Sequence, residues 1–441
     1  MARSIQRPNI LFLFTDDQRF DALGAVGNPE IITPNMDRLV EEGTTFTHAT
    51  IQGSVCPAVC QPSRAMLMTG RQLYHTPRDC GDFVTLPEHL AAHGYVTFGT
   101  GKWHNLPPSY ARSFTDGGKI FYGGMSDHLE VPVFDFDPAG EYPEEERYIG
   151  KKFSSELFSD AAIEFIERHD SDDPFMAYVS YTAPHDPRMA PKEYEDLYDP
   201  GRLRVPDNFH PVHPFDNGEM VVRDEMLAPF PRTPEIVQEH IAAYYAMVTH
   251  LDAHIGRVLE AIEGSGRADN TIVVLAGDNG LAVGQHGLMG KQNMYEHSVR
   301  VPLVICGPGI PEGQRSDALC YLLDLFPTLC DLVDLPVPET VEGRTLAPVL
   351  LGERRRTYES LFFAYMDCQR AVRDERWKLI EYFGGAERVT QLFDLRADPF
   401  ETANLASAPG IDEQLLRLRA ELEQWQRRID DPMTGRIEQP I

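Results

Sequence analysis

The segment around Cys60 places a nucleophilic side chain next to a fixed cation. Pro62 suits the first turn of a helix and Gly70 suits its end, so the pattern predicts a short helix that begins near Cys60. Free backbone N–H groups and the dipole at such an end favour an anion or a thiolate, and Arg64 lies one turn further on the same face. The residues alone therefore predict a cysteine nucleophile beside an arginine. A buried structural cysteine is the alternative interpretation.

Polar and ionisable residues also follow four short apolar runs, each of which is short enough to be a buried strand. These runs and their followers are 10–14 with Asp16 and Asp17, 95–98 with Lys102 and His104, 175–181 with His185, and 271–276 with Asp278 and Asn279. Ligands of open α/β sheets bind at the carboxyl ends of the strands, so we expect these side chains to meet at one rim. Turn formation explains a single acidic residue after a strand but explains all four clusters together poorly.

The stretches between the strands read as helices. Apolar residues from Ile241 to Ile262 recur with a period near 3.6, and Gly264 is a suitable stop. Strands that alternate with such helices predict an α/β fold, in which a parallel sheet is covered by helices on both faces. A fifth apolar run, 301–306, stops at a Gly-Pro-Gly sequence. Two segments, 109–150 and 186–234, are rich in proline, glycine or acids and are expected to be long loops that line the site.

The pattern changes near Gly352. Segments 361–365, 371–382 and 390–395 predict an antiparallel sheet, and apolar residues from Ile411 to Ile429 at alternating spacings of 4 and 3 predict a terminal helix. We therefore divide the chain into a catalytic domain, residues 1–355, and a C-terminal subdomain, residues 356–441.

Composition excludes several classes of function. Lys and Arg number 40 and Asp and Glu 68, a formal net charge of −28, which argues against a nucleic-acid partner. No apolar run is long enough for a membrane helix, and the first one is broken at Thr15, which also denies the start of the chain a secretory leader. The odd number of cysteines, 7, without a tight framework fits a reducing compartment. We expect a cytoplasmic protein with no membrane partner; its oligomeric state does not follow from the sequence.

Six blocks of the sequence resemble the sulfatase family, within the alkaline phosphatase-like superfamily, in the family's order. The signature block is Cys60-Gln61-Pro62-Ser63-Arg64 with Thr69-Gly70-Arg71, and Cys56 lacks the Pro-Ser-Arg that follows Cys60. The other blocks are Arg7-Pro8-Asn9-Ile10 with Asp16-Asp17, Gly101-Lys102-Trp103-His104, Ala183-Pro184-His185, Gly277-Asp278-Asn279-Gly280 and Gly290-Lys291. The resemblance implies a mixed, mostly parallel sheet with helices on both faces and a smaller C-terminal subdomain of antiparallel sheet and helix.

The resemblance further implies that a formylglycine-generating or equivalent maturation enzyme oxidises Cys60 to the aldehyde formylglycine. The hydrated aldehyde has two hydroxyl groups. One attacks the sulfur of a sulfate ester and expels the alcohol, and the other, once deprotonated, expels sulfate and restores the aldehyde. A serine in the same place could attack but could not eliminate, so it would stay sulfated.

A divalent cation belongs to that chemistry. The side chains of Asp16, Asp17, Asp278 and Asn279 offer hard oxygen ligands, and the hydrate at position 60 is a further one. Such a donor set suits Ca²⁺ or Mg²⁺ and disfavours softer metals. The family resemblance favours Ca²⁺.

Roles for the remaining residues are implied by the same resemblance. Arg64, Lys102 and Lys291 are the cations expected on the sulfate oxygens. His104 assists removal of the second hydroxyl proton, while His185 and Lys291 protonate or stabilise the leaving alcohol oxygen. Asp278 is a candidate for the base that activates the attacking hydroxyl. The sulfate must be attracted locally, because the field of the whole acidic protein repels it.

Three further residues are candidates for contacting the organic part of the substrate. Asp186 and Arg188 follow His185 directly. His286, near the lysine block, either contacts the substrate or is a histidine whose bonds are satisfied within its loop.

The sequence thus predicts a Ca²⁺-dependent sulfatase acting on a sulfate monoester of a small molecule. A phosphonate or phosphate ester hydrolase of the same superfamily is the alternative. A binding protein without chemistry would show gaps among the expected residues, and the named blocks have none. The substrate's organic part, whether sugar, aryl or choline-like, stays open because variable loops build its pocket.

Overall fold

A computed structural model describes residues 7–385 and 387–436 of the chain. Residues 1–6, at the start of the expected catalytic domain and of the region considered as a secretory leader, lie outside that part. So do residues 437–441, at the end of the expected C-terminal subdomain. The strands, in chain order, are β1 Asn9–Thr15, β2 Gly43–Phe46, β3 Ala49–Thr50, β4 Gly53–Ser54, β5 Val96–Lys102, β6 Asp116–Phe121, β7 Pro132–Val133, β8 Tyr148–Ile149, β9 Phe175–Ser180, β10 Thr271–Gly277, β11 Leu303–Cys306, β12 Gln314–Ser316, β13 Cys320–Tyr321, β14 Leu361–Tyr365, β15 Gln369–Arg373, β16 Trp377–Tyr382 and β17 Val389–Asp394.

Helices connect most of these strands. They are α1 Pro34–Glu42, α2 Cys60–Thr69, α3 Leu86–Ala92, α4 Pro107–Ser113, α5 Ser154–Arg168, α6 Lys192–Glu195, α7 Pro234–Gly264, α8 Glu296–Val299, α9 Leu325–Leu332, α10 Ala347–Leu350 and α11 Asp412–Arg428. Helix α7 begins earlier than the apolar period indicates, because Thr233 caps it by accepting a hydrogen bond from the backbone N–H of Ile236. Among the described helices, none is long and apolar enough to cross a membrane.

The central sheet has the order β12-β2-β11-β10-β1-β9-β5-β6. Strand β1 lies in its middle and pairs in parallel with both β9 and β10, while β11 runs antiparallel to β10 and to β2. The mixed, mostly parallel sheet expected from the family resemblance is therefore confirmed, and the wholly parallel sheet inferred from strand–helix alternation is corrected at β11. That strand returns from the rim through a loop and the short helix α8, without a crossover of the kind parallel strands need.

Both faces of the central sheet are buried. Phe12 and Phe14 of β1 pack against Tyr178 on one face. Leu11 and Leu13 point to the other face, into the core that α1, α5 and α7 cover. Alternate residues of one strand thus enter two cores, which anchors the rim beyond Thr15 from both sides.

Segment 109–150 is more regular than expected. Instead of one long loop, it contains the end of α4 and the strand β6, which pairs in parallel with β5 at the edge of the sheet. Gly117 and Gly118 lie within β6 and conceal its strand character, because glycine is depleted in strands. Segment 186–234 does run as a long irregular stretch, with α6 and short 3₁₀ turns.

The C-terminal sheet has the order β17-β16-β15-β14-β4. Segment 371–382 is not one strand: β15 and β16 form a hairpin whose turn is held by Asp374, which accepts hydrogen bonds from the backbone N–H groups of Arg376 and Trp377. Helix α11 packs on β15 and β16. Strand β4, from the N-terminal part of the chain, joins this sheet in parallel with β14.

Candidate active site

The carboxyl ends of the central strands carry the candidate residues. Asp16 and Asp17 directly follow β1, Lys102 is the last residue of β5, His185 lies shortly after β9, and Asp278 follows β10. The parallel register sets Thr15 beside Gly277, so the residues after them share one rim. The backbone N–H of Asp17 donates to Oδ1 of Asp278 at 3.0 Å and ties the two clusters together.

Asp17 is the centre of the contacts. Its Oδ1 atom accepts from Nζ of Lys291 and from Nδ2 of Asn279, both at 2.6 Å, and its Oδ2 atom lies 3.7 Å from Nε2 of His185. Burial alone would raise the pKa of this carboxyl, but the neighbouring His185 and the ammonium group of Lys291 hold it well below its usual value. Asp17 is therefore a carboxylate, as a metal ligand must be.

Cys60 is the first residue of α2, and Gly70 ends that helix in a left-handed conformation with φ 64°, as the sequence pattern predicts. The Sγ atom of Cys60 lies 3.1 Å from Nζ of Lys291 and 3.9 Å from Oδ1 of Asp17. Burial and the carboxylate of Asp16 raise the pKa of the Cys60 thiol well above its usual value. The protein part of the site therefore does not favour the thiolate that the helix end alone suggested.

Arg64 and Lys102 are bound to the acids of the site. Arg64 donates from Nε to Oδ2 of Asp278 at 2.9 Å, and from Nη1 to the Lys102 carbonyl oxygen at 2.8 Å and to Oγ of Ser180 at 2.6 Å. Nζ of Lys102 forms a short ion pair with Oδ2 of Asp16. The bonded partner of Arg64 is thus Asp278, and its expected action beside Cys60 stays a prediction. Its Nη2 atom is buried and without a hydrogen-bond partner among the described residues.

Two oxygen atoms of the site are buried without a partner in the described part of the chain: Oδ1 of Asp16 and Oδ1 of Asn279. One ligand atom from each of Asp16, Asp17, Cys60 and His185 lies within 4.8 Å of the others. Burial and Asp16 also raise the pKa of Asp278 to about 7, which reflects the crowding of carboxylates here. Free carboxylate and amide oxygens are ligands that Ca²⁺ and Mg²⁺ prefer, so these residues fit a hard divalent cation.

The two candidate histidines differ in their surroundings. His185 is buried, and its Nδ1 atom lies 2.8 Å from the backbone oxygen of Asp186, which leaves Nε2 facing Asp17. His104 has a left-handed backbone with φ 68°, and its Nδ1 atom is buried without a partner among the described residues. Burial and the charges of Lys102 and Arg64 lower the pKa of His104 to about 2. His104 is therefore neutral in the site formed by the protein alone, and the role in proton removal that the family resemblance implies for it stays a prediction.

An outer layer of side chains surrounds His185 and Lys291, and sequence reasoning missed most of it. Arg223, about half exposed, forms ion pairs with both Asp186 and Asp224. Gln292 donates from Nε2 to Oδ2 of Asp224 at 2.8 Å, and its Oε1 atom accepts from the backbone N–H of Lys291. Arg223 and Asp224 lie in segment 186–234, where no strand or helix period indicates a position.

The structure separates His286 from these contacts. Its ring stacks on Tyr295 with centroids 3.9 Å apart, and its Nε2 atom accepts from Nδ2 of Asn208 at 3.1 Å. The interpretation as a satisfied loop histidine fits this packing. Asp186 and Arg188, by contrast, lie beside His185 at the edge of the site.

Two family models match the chain. One, described as Sulfatase, matches residues 8–335. The other, described as N-sulphoglucosamine sulphohydrolase, C-terminal, matches residues 284–428.

Curated relatives cover nearly the whole chain. An N-acetylglucosamine-6-O-sulfatase of Bacteroides thetaiotaomicron is 27% identical over 97% of this chain and 87% of its own length. An ulvan-active sulfatase of Formosa agariphila is 30% identical over 98% of this chain and 83% of its own length. A solved structure described as a complex with its substrate D-glucosamine-2-N,6-O-disulfate is similar, with a TM-score of 0.81, 25% identity, and coverage of 97% of this chain and 99% of that one.

Proposed function

The chain belongs to the sulfatase family and is a sulfuric ester hydrolase, and from this premise we propose that it hydrolyses a sulfate monoester with a formylglycine made from Cys60 and one bound Ca²⁺. The observation that carries the proposal is that three distant parts of the chain meet at the rim of the sheet: the pair Asp16 and Asp17, Cys60, and Lys291. A maturation enzyme that converts Cys60 is part of the proposal.

The raised pKa of the Cys60 thiol supports the conversion. A neutral thiol is a weak nucleophile, since the thiolate is the reactive form. An aldehyde hydrate offers an oxygen nucleophile in the same place without requiring a thiolate. Arg64 and Lys102 keep Asp278 and Asp16 in position, so these cations act first on the framework of the site.

The proposed metal would be held by Asp16, Asp17, Asp278 and Asn279. When bound, Ca²⁺ supplies Lewis-acid stabilisation of charge on the sulfate oxygens. The chain's own contribution to expelling the alcohol comes from Lys291 and His185. Both contact Asp17, and Lys291 also reaches position 60, so the pair is placed to hold or donate a proton at the leaving alcohol oxygen.

We further propose a sulfated sugar as the substrate. The support is that the relatives named above act, by their names, on sulfated N-acetylglucosamine, on ulvan or on a glucosamine disulfate. The cytoplasmic location and the division into domains at residue 355 stay predictions.

Mass spectrometry of protein made in its native host tests the conversion. Trypsin releases residues 39–64 as one peptide that contains both Cys56 and Cys60. We expect one alkylated cysteine in this peptide instead of two. Fragment ions should show that residue 60 has lost sulfur and two hydrogens and has gained one oxygen. Cys56 is the internal control. An intact Cys60 thiol in fully active enzyme would remove the proposed nucleophile.

Two variants complete this test. Cys60→Ala removes the reacting atom, and Cys60→Ser supplies a hydroxyl that can attack only once. We expect both to lose turnover, whereas Cys56→Ser should keep it, because the Cys56 Sγ atom hydrogen-bonds the carbonyl oxygen of Ala58 instead of facing Lys291. Multiple turnovers by Cys60→Ser would contradict the mechanism.

A further inference from the structure

Two of the three guanidinium nitrogens of Arg188 have no hydrogen-bond partner among the described residues. Its Nη1 atom donates to Nδ1 of His240 at 2.8 Å. Its Nε and Nη2 atoms are buried and have no hydrogen-bond partner among the described residues. A buried donor without a partner costs free energy, so this arrangement needs a reason.

The acids nearest to Arg188 are already engaged. Both oxygens of Asp186 pair with Arg223, and Oδ1 of Asp186 also lies 3.3 Å from Nδ1 of His185. Asp224 pairs with Arg223 and with Gln292. Burial accordingly lowers the pKa of Arg188 below its usual value in spite of these neighbouring carboxylates. The positive charge of Arg188 is therefore not neutralised by a bonded acid.

The unused edge of the guanidinium has a defined shape. The Nε–H and Nη2–H bonds of an arginine point the same way and match two oxygens of one carboxylate or sulfate group. His240 holds the opposite edge through Nη1 and thereby fixes the direction of the free one. This geometry suits an oxyanion that accepts two parallel hydrogen bonds better than it suits a single water molecule.

Arg188 is also connected to the residues of the active site. Its partner His240 lies one turn before Tyr244 on α7, and the Tyr244 hydroxyl donates to the backbone oxygen of Asp17 at 2.9 Å. Arg188 follows His185 by three residues. It therefore lies on the His185 side of the site, near a residue proposed to act on the leaving alcohol oxygen.

We propose that Arg188 binds a second oxyanion on the organic part of the substrate, a carboxylate or a second sulfate. The substrate is then a sugar that carries one sulfate ester to be cleaved and another anionic substituent. The identity of the cleaved sulfate ester rests on the proposed function, whereas the binding of the second oxyanion does not. His240 acts as a positioning residue, and Arg188 is the residue that determines specificity.

Matched substrates test the proposal through kcat/KM. Glucosamine-2-N,6-O-disulfate and N-acetylglucosamine-6-sulfate differ at the nitrogen, and an iduronate 2-sulfate and its methyl ester differ at the carboxyl group. The first pair detects a second sulfate and the second pair a carboxylate. We expect the wild type to prefer the anionic member of one pair by about 10- to 100-fold, the range for a hydrogen bond to a charged group. Arg188→Gln should bring that preference close to 1.

Control variants separate binding from structure. Arg202→Gln changes an arginine of the same segment whose side chain is 86% exposed, and we expect it to keep the wild-type preference. Arg188→Lys keeps the charge but loses the parallel pair of N–H bonds, so an intermediate preference is expected. Equal losses on both members of each pair in Arg188→Gln would make Arg188 a structural residue and overturn the proposal.

Thermal unfolding gives an independent reading. Because the Arg188 donors lack partners, Arg188→Gln should melt no lower than the wild type. Arg232→Gln should melt lower, since Arg232 is bonded to Glu225 and to three backbone oxygens. A large destabilisation by Arg188→Gln would likewise count against a binding role.

Calorimetric titration of Cys60→Ala with unsulfated or N-sulfated sugars removes any dependence on turnover. The probes are methyl glucuronide against methyl glucoside, and glucosamine N-sulfate against N-acetylglucosamine. We expect tighter binding of the anionic member of at least one pair, abolished by Arg188→Gln. No preference in either pair overturns the inference even if the enzyme is an active sulfatase. If Cys60→Ala shows the preference but the wild type hydrolyses no sulfate ester, the oxyanion site is supported and the proposed reaction is rejected.

Discussion

Replacing Lys291 by methionine removes an ammonium group but keeps an unbranched side chain of similar length. Nζ of Lys291 lies 2.6 Å and 2.9 Å from the two oxygens of Asp17 and 3.1 Å from Sγ of Cys60. If this cation meets the leaving alcohol oxygen, its removal costs most where that oxygen carries most charge. The effect of Lys291→Met should therefore depend on the leaving group.

The size of this effect follows from general acid catalysis. A positioned acid contributes about 10²- to 10⁴-fold, and an alkyl alcohol needs that contribution because its anion is a poor leaving group. We expect kcat/KM for an alkyl sulfate to fall by about 10³-fold and that for nitrophenyl sulfate by only about tenfold. In a series of aryl sulfates, the slope of log kcat/KM against the pKa of the phenol should become steeper in Lys291→Met.

Lys102→Met is the matched control. Lys102 is a buried lysine of the same site, but its Nζ atom pairs with Asp16, whereas that of Lys291 pairs with Asp17 and contacts Cys60. We expect Lys102→Met to lower kcat/KM by a similar factor for every leaving group. A uniform loss in Lys291→Met as well would refute the reasoning, because Lys291 would then act on the sulfate or the nucleophile.

Three other outcomes can be measured directly. At about 100 times its dissociation constant, Ca²⁺ should add about 2.7 kcal/mol to the free energy of unfolding; EDTA should lower the melting temperature accordingly, and an undiminished response in Asp16→Asn would contradict the site. Matched aryl sulfate and phosphate esters should be hydrolysed with the higher kcat/KM for the sulfate, and the reverse order would assign the phosphate or phosphonate alternative. Asp431→Ala leaves the fully buried Arg370 without its carboxylate partner, to which it is bonded at 2.7 Å and 2.9 Å. Urea unfolding should show that the free energy of unfolding falls by about 3–5 kcal/mol. A fall of less than about 1 kcal/mol would mean that the pair is not buried in solution.

The part of the site that follows strands was accessible to sequence reasoning. Asp16, Lys102 and Asp278 come immediately after or at the end of buried apolar runs, and parallel strands bring such ends together. Cys60 and Lys291 follow no strand of the central sheet. The residues alone indicated Cys60 as a nucleophile, but only the family resemblance joined Cys60 and Lys291 to this rim, since their positions depend on the packing of α2 and of the loop 281–295.

The rest of the site depends on contacts between segments that have no local period. Arg223 and Asp224 lie in a long irregular stretch, and only their bonds to Asp186 and Gln292 locate them. Arg64 could be placed on the face of α2 that carries Cys60, but its choice of Asp278 as a partner is a tertiary property. A helical spacing shows which side chains share a face and does not show which charge each one meets.

Edge strands and tight turns account for the misplaced elements of the fold. Strand β6 is partly exposed and contains Gly117 and Gly118, so neither burial nor alternation reveals it. The hairpin between β15 and β16 turns within three residues, 374–376, which interrupt the apolar run too briefly to divide it. In both places the tertiary setting decided the structure against a weak local signal.

The C-terminal sheet also takes part in positioning Cys60. The carbonyl oxygens of Gln52 and Ser54 accept hydrogen bonds from the backbone N–H groups of Ala364 and Met366 in and beyond β14. Gly53 lies between them with φ 101°, and a Cβ atom there would lie 1.9 Å from the carbonyl oxygen of Ala364. The backbones approach as closely as glycine alone permits. Because only residues 55–59 separate this contact from α2, the C-terminal sheet fixes one end of the segment that presents Cys60 and belongs to the framework of the active site.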